Sequence, residues 1–423
     1  MSSNYIKKLS STNIFHLKNS KMQLIAYKCW AKRNPSSKEN IVERILSEDY
    51  GFTNEKGKHL KNMSIKSKPY RLGELFCGPG GLGIGATSVD NSRIIHQWAS
   101  DIDESSCKTY SFNICQTPRE EISDSVYHTD VKDLKIKNLE DIDIFAYGFP
   151  CNDFSLVGKQ KGFDGDYGPL YTYGVEVLDY FKPKVFVAEN VGGIKSANGG
   201  NAFEQILSDL KSSGNGYELT VHHYKSEQYG VPQTRHRYII VGFRSDLEIR
   251  FKVPLPTHPS ADSYNTVQQA LTDIREDTPN HQYARVSPTV VERLKHIKPG
   301  ENAWTADLPD DLKLNVKSAK LSQIYKRLEP DKPSYTVTGS GGGGTHVYHH
   351  EEPRPLTNRE RARLQTFDDN FEFLGSPEKV RRQIGMAVPP LLSRVIFKGI
   401  LDTLDGVNYS SVDSSYQILP ELF

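Results

Sequence analysis

A cysteine follows a proline at the exit of an apolar run. Ile142–Pro150 reads IDIFAYGFP, and Cys151 opens the polar segment CNDFSLVGKQKGF. The thiolate is the reactive form of cysteine, and cations such as Lys159 and Lys161 lower its pKa. Gly158 and Gly162 suit the hinges of a closing loop. A strand-end cysteine taken alone reads more simply as a buried core residue. Glu189 stands near the end of a second apolar run, KVFVAENV (Lys184–Val191). Partial desolvation there would raise its pKa and let it donate a proton or a hydrogen bond; a structural turn carboxylate is the plainer reading. In QTRHR, Gln233, Arg235 and Arg237 alternate, so both arginines share one face of an extended chain. Such a pair suits a clamp on phosphate or carboxylate, and equally an exposed edge strand.

Upstream, ELFCGPGGLGIGA (Glu74–Ala86) runs a strand into closely spaced glycines, Gly78, Gly80, Gly81, Gly83 and Gly85. Glycines permit a tight turn and let backbone approach a ligand. Asp101 ends the following strand and can accept hydrogen bonds from ribose hydroxyls; Asp130, in HTDV, adds another carboxylate at the same sheet edge. At this level a nicotinamide-dependent oxidoreductase fits as well as any other nucleoside-binding enzyme. The run Gly341–Gly344 reads as a linker or as backbone lying close to a phosphodiester. His346, His349, His350, Glu351 and Glu352 lack helical metal-ligand spacing and no CxxC accompanies them, so a solvated loop is expected.

The elements that must position these groups are strands at Arg71–Phe76, Ile94–Asp101, Ile142–Pro150, Lys184–Val191 and Arg237–Arg244, with helical patterns at Gly174–Phe181 and Ala202–Ser212. Strands alternating with helices predict a doubly wound α/β sheet, parallel or mixed. Residues 245–335, rich in Pro, Asp, Thr and Lys, interrupt the alternation as an insertion; helical patterns resume at Asn358–Phe367 and Pro389–Leu404.

The 423 residues suffice for a sizeable core. A mean hydropathy of −0.56 and 25% charged residues describe a soluble globular chain. No run approaches the ~18 consecutive apolar residues of a membrane span, and the N-terminus lacks an apolar signal core. Five cysteines are too few and too irregular for a disulfide framework; a reducing cytoplasm is expected. The net charge of +1 conceals a basic arm: residues 1–70 carry 14 Lys and Arg against 5 Asp and Glu, leaving the remainder acidic. Helix-like stretches at Ser20–Ala31 and Ser37–Ser47 lie in this arm, which would contact a polyanion or form a solvated extension.

Taken in order, these segments resemble the DNA cytosine-5 methyltransferases of the bacterial restriction–modification or orphan type. The resemblance runs from Tyr70 to about Leu404: the Phe76–Gly81 turn, the Pro-Cys loop, Glu-Asn-Val, Gln-x-Arg-x-Arg, RPLTNRERARLQTF and QIGMAVPP. It implies a Rossmann-like S-adenosyl-L-methionine-dependent sheet with a smaller inserted target recognition domain. The implied division is a basic extension over 1–68, a catalytic and cofactor-binding domain over 69–244, the recognition domain over 245–345, and a C-terminal return over 346–423.

By this resemblance Phe76, Gly78, Gly80 and Gly81 cradle the cofactor. Asp101 holds its ribose, Ile102 packs on the adenine and Asp130 reaches the adenine amine, with Pro150, Leu170 and Val388 completing the pocket. The substrate is double-stranded DNA, whose target cytosine is flipped out of the stack. Cys151 attacks C6, Glu189 holds the N3 edge, and Arg235 and Arg237 position the base and its phosphate. Ser155, Lys159, Gln233 and Thr336 contact the DNA, and no metal is required. A monomer is expected, with a cognate restriction endonuclease as a functional partner. Asn152 and Met386 depart from the family's usual Gln and Asn. Met386 and the basic arm motivate the alternative of a degenerate DNA-binding protein with weak or no turnover. Gly192-Gly193-Ile194 replaces the Cys-Phe-Thr of the tRNA-methylating relatives.

Overall fold

The computed structural model of the chain describes residues 68–90, 93–149, 170–194, 201–315, 322–339, 341 and 343–416. The chain divides into two compact units, Met1–Lys66 and Ser67–Phe423, and every described residue lies in the second. The helical stretches expected in the basic arm, and Pro150, Cys151, Ser155 and Lys159, lie outside the described residues.

Seven strands form the central sheet: β1 (Tyr70–Leu75), β2 (Ile94–Asp101), β3 (Val126–His128), β4 (Ile144–Gly148), β5 (Val185–Val191), β6 (Tyr217–Lys225) and β7 (His236–Arg244). Their spatial order is β3-β2-β1-β4-β5-β7-β6. Strands β1 to β5 pair in parallel, and β7 runs antiparallel to both β5 and β6. The chain winds outward from β1 to β3, then crosses to β4 and β5. The reversal therefore falls between β1 and β4, where open α/β sheets bind ligands beyond the carboxyl ends of their strands.

Both faces of the sheet are covered, so its central strands read as near-continuous apolar runs. On β4, Phe145 and Tyr147 join Trp98, Phe186 and Tyr217 on one face, beneath α3 (Tyr171–Phe181) and α4 (Asn201–Ser212). Ile144 and Ala146 join Leu72, Val185 and Val187 on the other, beneath α1 (Gly81–Thr87) and the C-terminal helix α9 (Pro390–Leu404). Helix α2 (Glu104–Tyr110) follows β2 and is capped by Asp103, whose side chain accepts from Ser106 N.

Beyond β7, Phe251 and Val253 remain in the sheet's core, and Val253–Pro254 pairs with Ser411–Val412. Among its described residues the insertion holds little regular structure: α5 (Val267–Leu271), α6 (Pro288–Lys295), and Ser334–Tyr335 paired in parallel with Gln233–Thr234. Its Val267, Leu328 and Val337 share one apolar cluster with α7 (Asn358–Leu364) and α8 (Pro377–Met386), so packing runs without a break across residue 345. The window Pro377–Leu404 has the length and hydropathy of a membrane span, yet two thirds of it is buried inside this protein. It is also interrupted between α8 and α9 at Ala387–Pro389.

Candidate active site

The turn after β1 places bare backbone at the reversal point. Phe76 and Gly78 both have φ of +52°, and Gly80 has φ of +98°. A side chain at Gly78 would meet no atom within 4 Å, so the turn faces open space. A Cβ at Gly81 would instead overlap Val388 O, because the stretch entering α9 lies directly on the first turn of α1. Val388 is buried there.

Asp101 ties this turn to the end of β2. Its Oδ2 accepts from Gly78 N at 2.8 Å, and its Oδ1 accepts from Asp103 N at 2.9 Å. Burial raises its pKa, and these N–H bonds act in the opposite direction. Each oxygen keeps a second lone pair for a ligand hydroxyl. The next residue, Ile102, is 65% exposed, an apolar plate beside a carboxylate. Thr129 N donates to Asp101 O, which brings half-buried Asp130 to the same edge; Asp130 Oδ1 accepts from Lys132 N. Leu170 is buried with Leu75 and Phe149, and Phe76 packs against the same cluster. Bare backbone, an apolar plate and two carboxylates fit a nucleoside, which needs a flat face for its base and polar edges for its hydroxyls and amine.

Strand β5 delivers Glu189 opposite Gly148, the last residue of β4. Glu189 Oε2 lies 3.2 Å from where a Gly148 Cβ would stand, three positions before Cys151. Arg237, on β7, sets its Nε 2.8 Å from Glu189 Oε1. This contact is an ion pair by distance, with the N–H not aimed along it. Arg237 Nη1 donates to His236 O. Asn190, not among the expected site residues, is buried. Its Nδ2 donates to Phe149 O at 3.1 Å and its Oδ1 accepts from Val191 N. It thereby fixes the exit of β4 against β5. The signal for it was its place in Glu-Asn-Val beside Glu189.

Two expected site residues are used differently. Arg235 is 2% exposed and points away from solvent. Its guanidinium donates to Val337 O, Gly385 O and Met386 O at 3.1–3.4 Å. Burial and the neighbouring Arg237 pull its pKa well below the usual arginine range. Arg235 thus ties the backbone at Val337 to that at Gly385 and Met386. Gln233 is fully buried: its Nε2 donates to Leu364 O and Gln365 Oε1, and its Oε1 accepts from Val337 N. Its amide is thus engaged within the protein and not presented at the surface. Thr336 is half-buried and its hydroxyl donates to Thr234 O at 2.7 Å.

The histidine-rich segment is a solvated loop only in part, with Glu351 and Glu352 exposed. His349 and His350 are buried. His349 Nδ1 accepts from Glu351 N and Glu352 N, while Arg354 bridges Glu352 and Glu360.

A model of the C-5 cytosine-specific DNA methylase family matches residues 70–402. The Type II methyltransferase M.BbvI of Brevibacillus brevis is 54% identical over 82% of this chain and 95% of its own length. M.NgoFVII of Neisseria gonorrhoeae is 37% identical over 86% and 95%. Among solved structures, a protein described as a DNA modification methyltransferase from an E. coli prophage superposes with a TM-score of 0.61. It is 22% identical, over 79% of this chain and 99% of that one. The Entamoeba histolytica methyltransferase EhMeth gives 0.58 at 17% identity, over 80% and 99%. These two likenesses bear on the fold, and the order of strands, the glycine turn and the Glu189–Arg237 pair agree with the sequence matches: the chain belongs to the C-5 cytosine-specific DNA methylases.

Proposed function

We propose that the ends of β1, β4, β5 and β7 form the catalytic centre of a DNA cytosine-5 methyltransferase that uses S-adenosyl-L-methionine and modifies one short duplex sequence. The observation that carries this reading is the Glu189–Arg237 pair, fixed against Gly148 three residues before Cys151.

A cytosine inside a duplex cannot be reached, so it is flipped out. The Cys151 thiolate adds to C6, forming a C–S bond and moving electron density to C5. Glu189, steadied by Arg237, holds the N3 edge and assists its protonation. When bound, the cofactor supplies an electrophilic methyl group on a sulfonium, which C5 accepts. A base then removes the C5 proton, the C–S bond breaks, and Cys151 leaves as thiolate. Phe76, Gly78, Gly80, Gly81, Asp101, Ile102, Asp130, Leu170 and Val388 would hold the cofactor, with Pro150 beside Cys151. Arg235 and Asn190 are positioning residues.

The insertion over 245–345 would be the target recognition domain. It carries as many acidic as basic residues over 245–335, so base-edge contacts supply its specificity. The Type II relatives favour a role in protecting host DNA within a restriction–modification system in the cytoplasm, with a cognate endonuclease as functional partner.

Duplex DNA containing 5-fluorocytosine tests the mechanism, because fluorine blocks the final loss from C5. An SDS-stable adduct that needs cofactor and disappears in Cys151→Ala is expected. A wild-type chain that binds cofactor yet never forms it would support the degenerate, non-catalytic alternative.

A further inference from the structure

Glu74 stands on β1 two residues before Phe76, and no step above uses it. Its side chain is 1% exposed, and its Oε2 is buried without a hydrogen-bond partner. Its partners are neutral: the Tyr110 hydroxyl and the Gly83 N–H. A carboxyl group buried without a cation tends to keep its proton, and burial raises the Glu74 pKa to about 7 against the pull of those two bonds. The carboxyl group lies against the inside of the glycine turn. A Cβ at Gly83 would overlap Glu74 Oε1 and stand 3.0 Å from Tyr110 Oη, and one at Gly80 would meet the Tyr110 ring at 3.0 Å. Gly78, in the same turn, faces open space.

The other titratable groups on this side of the turn stay uncharged. Burial lowers the His96 pKa to about 4, and it raises the Tyr110 phenol and the Cys77 and Cys115 thiols. Asp101, at the end of β2, acts on Cys77 as a negative charge, so it opposes ionisation under the turn.

A chain of hydrogen bonds joins Glu74 to the surface. Tyr110 Oη meets Glu74 Oε1 and, at 3.1 Å, His96 Nδ1. His96 Nε2 lies 2.8 Å from Ser125 Oγ, which lies 2.9 Å from Ser123 Oγ. His96 and both serines are half-buried, so the far end reaches solvent. Tyr110, His96 and Ser125 each donate one bond and accept another, so the chain can point either way. With the carboxyl proton on Oε1 it points outward. When each member hands one proton on, that of Glu74 ends on Tyr110, that of Tyr110 on His96 Nδ1, that of His96 Nε2 on Ser125, and that of Ser125 in solvent. One proton has left, Glu74 alone has changed charge, and the chain points inward.

We propose that Glu74 is the counter-charge, across the glycine turn, for the sulfonium of the cofactor: it gives up its proton through Tyr110, His96 and Ser125 when the cation binds, and takes one back once the methyl group has gone. The proposal rests on the methyltransferase reading for the identity of the cation. S-adenosylmethionine carries one positive charge more than S-adenosylhomocysteine, and a nearby cation favours the ionised form of a carboxyl group. Glu74 thereby favours the methyl-bearing cofactor over the spent one.

The test is calorimetry of cofactor binding to the full chain between pH 5.5 and 8, in buffers of differing ionisation enthalpy, which counts the protons released. At pH 7 wild type is expected to release about 0.4 proton more per S-adenosylmethionine than Glu74→Gln, since a pKa lowered from about 7 to about 6 leaves roughly a tenth of the carboxyl protonated instead of half. The amine of the cofactor titrates in both proteins and drops out of that difference. The affinity of wild type for S-adenosylmethionine, relative to that of Glu74→Gln, is expected to rise about sevenfold from pH 5.5 to 8. S-adenosylhomocysteine is expected to show neither effect. Tyr110→Phe removes a bond that lowers the Glu74 pKa, so its release profile is expected to move to higher pH, and it decides where Glu74→Gln fails to fold. His96→Phe is expected to slow release, followed by stopped flow with a pH indicator, without changing its extent. Equal release by wild type and Glu74→Gln, or the same Glu74-dependent release with both cofactors, would overturn the proposal and leave the methyltransferase reading standing. An unchanged rate in His96→Phe would overturn the proton route. A chain that binds neither cofactor would overturn both readings, and one that shows the expected release yet never methylates DNA would count against the methyltransferase reading alone.

Discussion

At Gly78 the backbone needs a positive φ and the space beyond it must stay open. Gly78→Ala places a methyl group where a nucleoside would lie. It is expected to cost about 1 kcal/mol of stability and at least tenfold in S-adenosylhomocysteine affinity, measured by calorimetry. Arg235 and Arg237 are two residues apart, yet their substitutions should separate. Arg235→Met strands the carbonyls of Val337, Gly385 and Met386 and is expected to lower unfolding free energy by roughly 2–4 kcal/mol. Arg237→Met leaves Glu189 without its cation, and its main effect should be on kcat, by about a hundredfold. Equal stability losses in the two variants would contradict the separate roles. Alternation predicted both arginines on one face of an extended chain, whereas Arg235 falls between the strands Gln233–Thr234 and His236–Arg244. It could not tell that residues 233–235 are roofed by Ser334–Val337 and by α7 and α8, which come from more than a hundred positions later. For the same reason the burial of His349 and His350 was invisible: their cover is tertiary.

The strands that sequence periodicity identified are those with long apolar runs. Strand β2 coincides with Ile94–Asp101, and β5 and β7 lie within a residue of expectation. Strand β6 was not legible, because Glu218, His222, His223 and Lys225 break its apolar pattern in YELTVHHYK, although Tyr217, Leu219, Val221 and Tyr224 are buried. Helix α1, GLGIGAT, holds three glycines in seven residues and reads as loop. It is helical because α9 packs on it so closely that a Cβ at Gly85 would overlap Ser393, whose hydroxyl donates to Leu82 O. Gly85→Val is therefore expected to prise α9 from α1 and disturb the Gly81–Val388 contact. Circular dichroism melts should show a loss of several degrees, and cofactor affinity should fall with it. Asn190→Ala removes the tie between β5 and the exit of β4. It is expected to reduce kcat more than it raises the KM for cofactor, because Phe149 leads directly into Pro150 and Cys151.

Across the whole molecule, stability and pH are linked through a buried carboxyl group under the glycine turn. Glu74 accepts from Tyr110 Oη, and burial raises its pKa to about 7. In the unfolded chain it titrates near 4.5, so between these values the folded state holds the extra proton. Its contribution to stability is complete below pH 4.5 and is lost as pH rises toward 7. Half-buried His96, His222 and His346 and buried His349, neutral with pKa values of about 4, act in the opposite direction below pH 6.5. The informative quantity is therefore a difference. Glu74→Gln, which keeps a neutral partner for Tyr110, should gain on wild type between pH 5 and 8, by up to about 3 kcal/mol. A difference that does not vary with pH would contradict a protonated Glu74.

The central claim, that this sheet positions Cys151 and Glu189 to methylate cytosine, is tested most directly by transfer of tritiated methyl from S-adenosylmethionine to unmethylated duplex DNA, followed by bisulfite sequencing. Wild type is expected to label cytosines within one short sequence, and Cys151→Ser to label none while still binding S-adenosylhomocysteine. Normal labelling by Cys151→Ser, or none by a wild-type chain that binds both cofactor and DNA, would contradict the account.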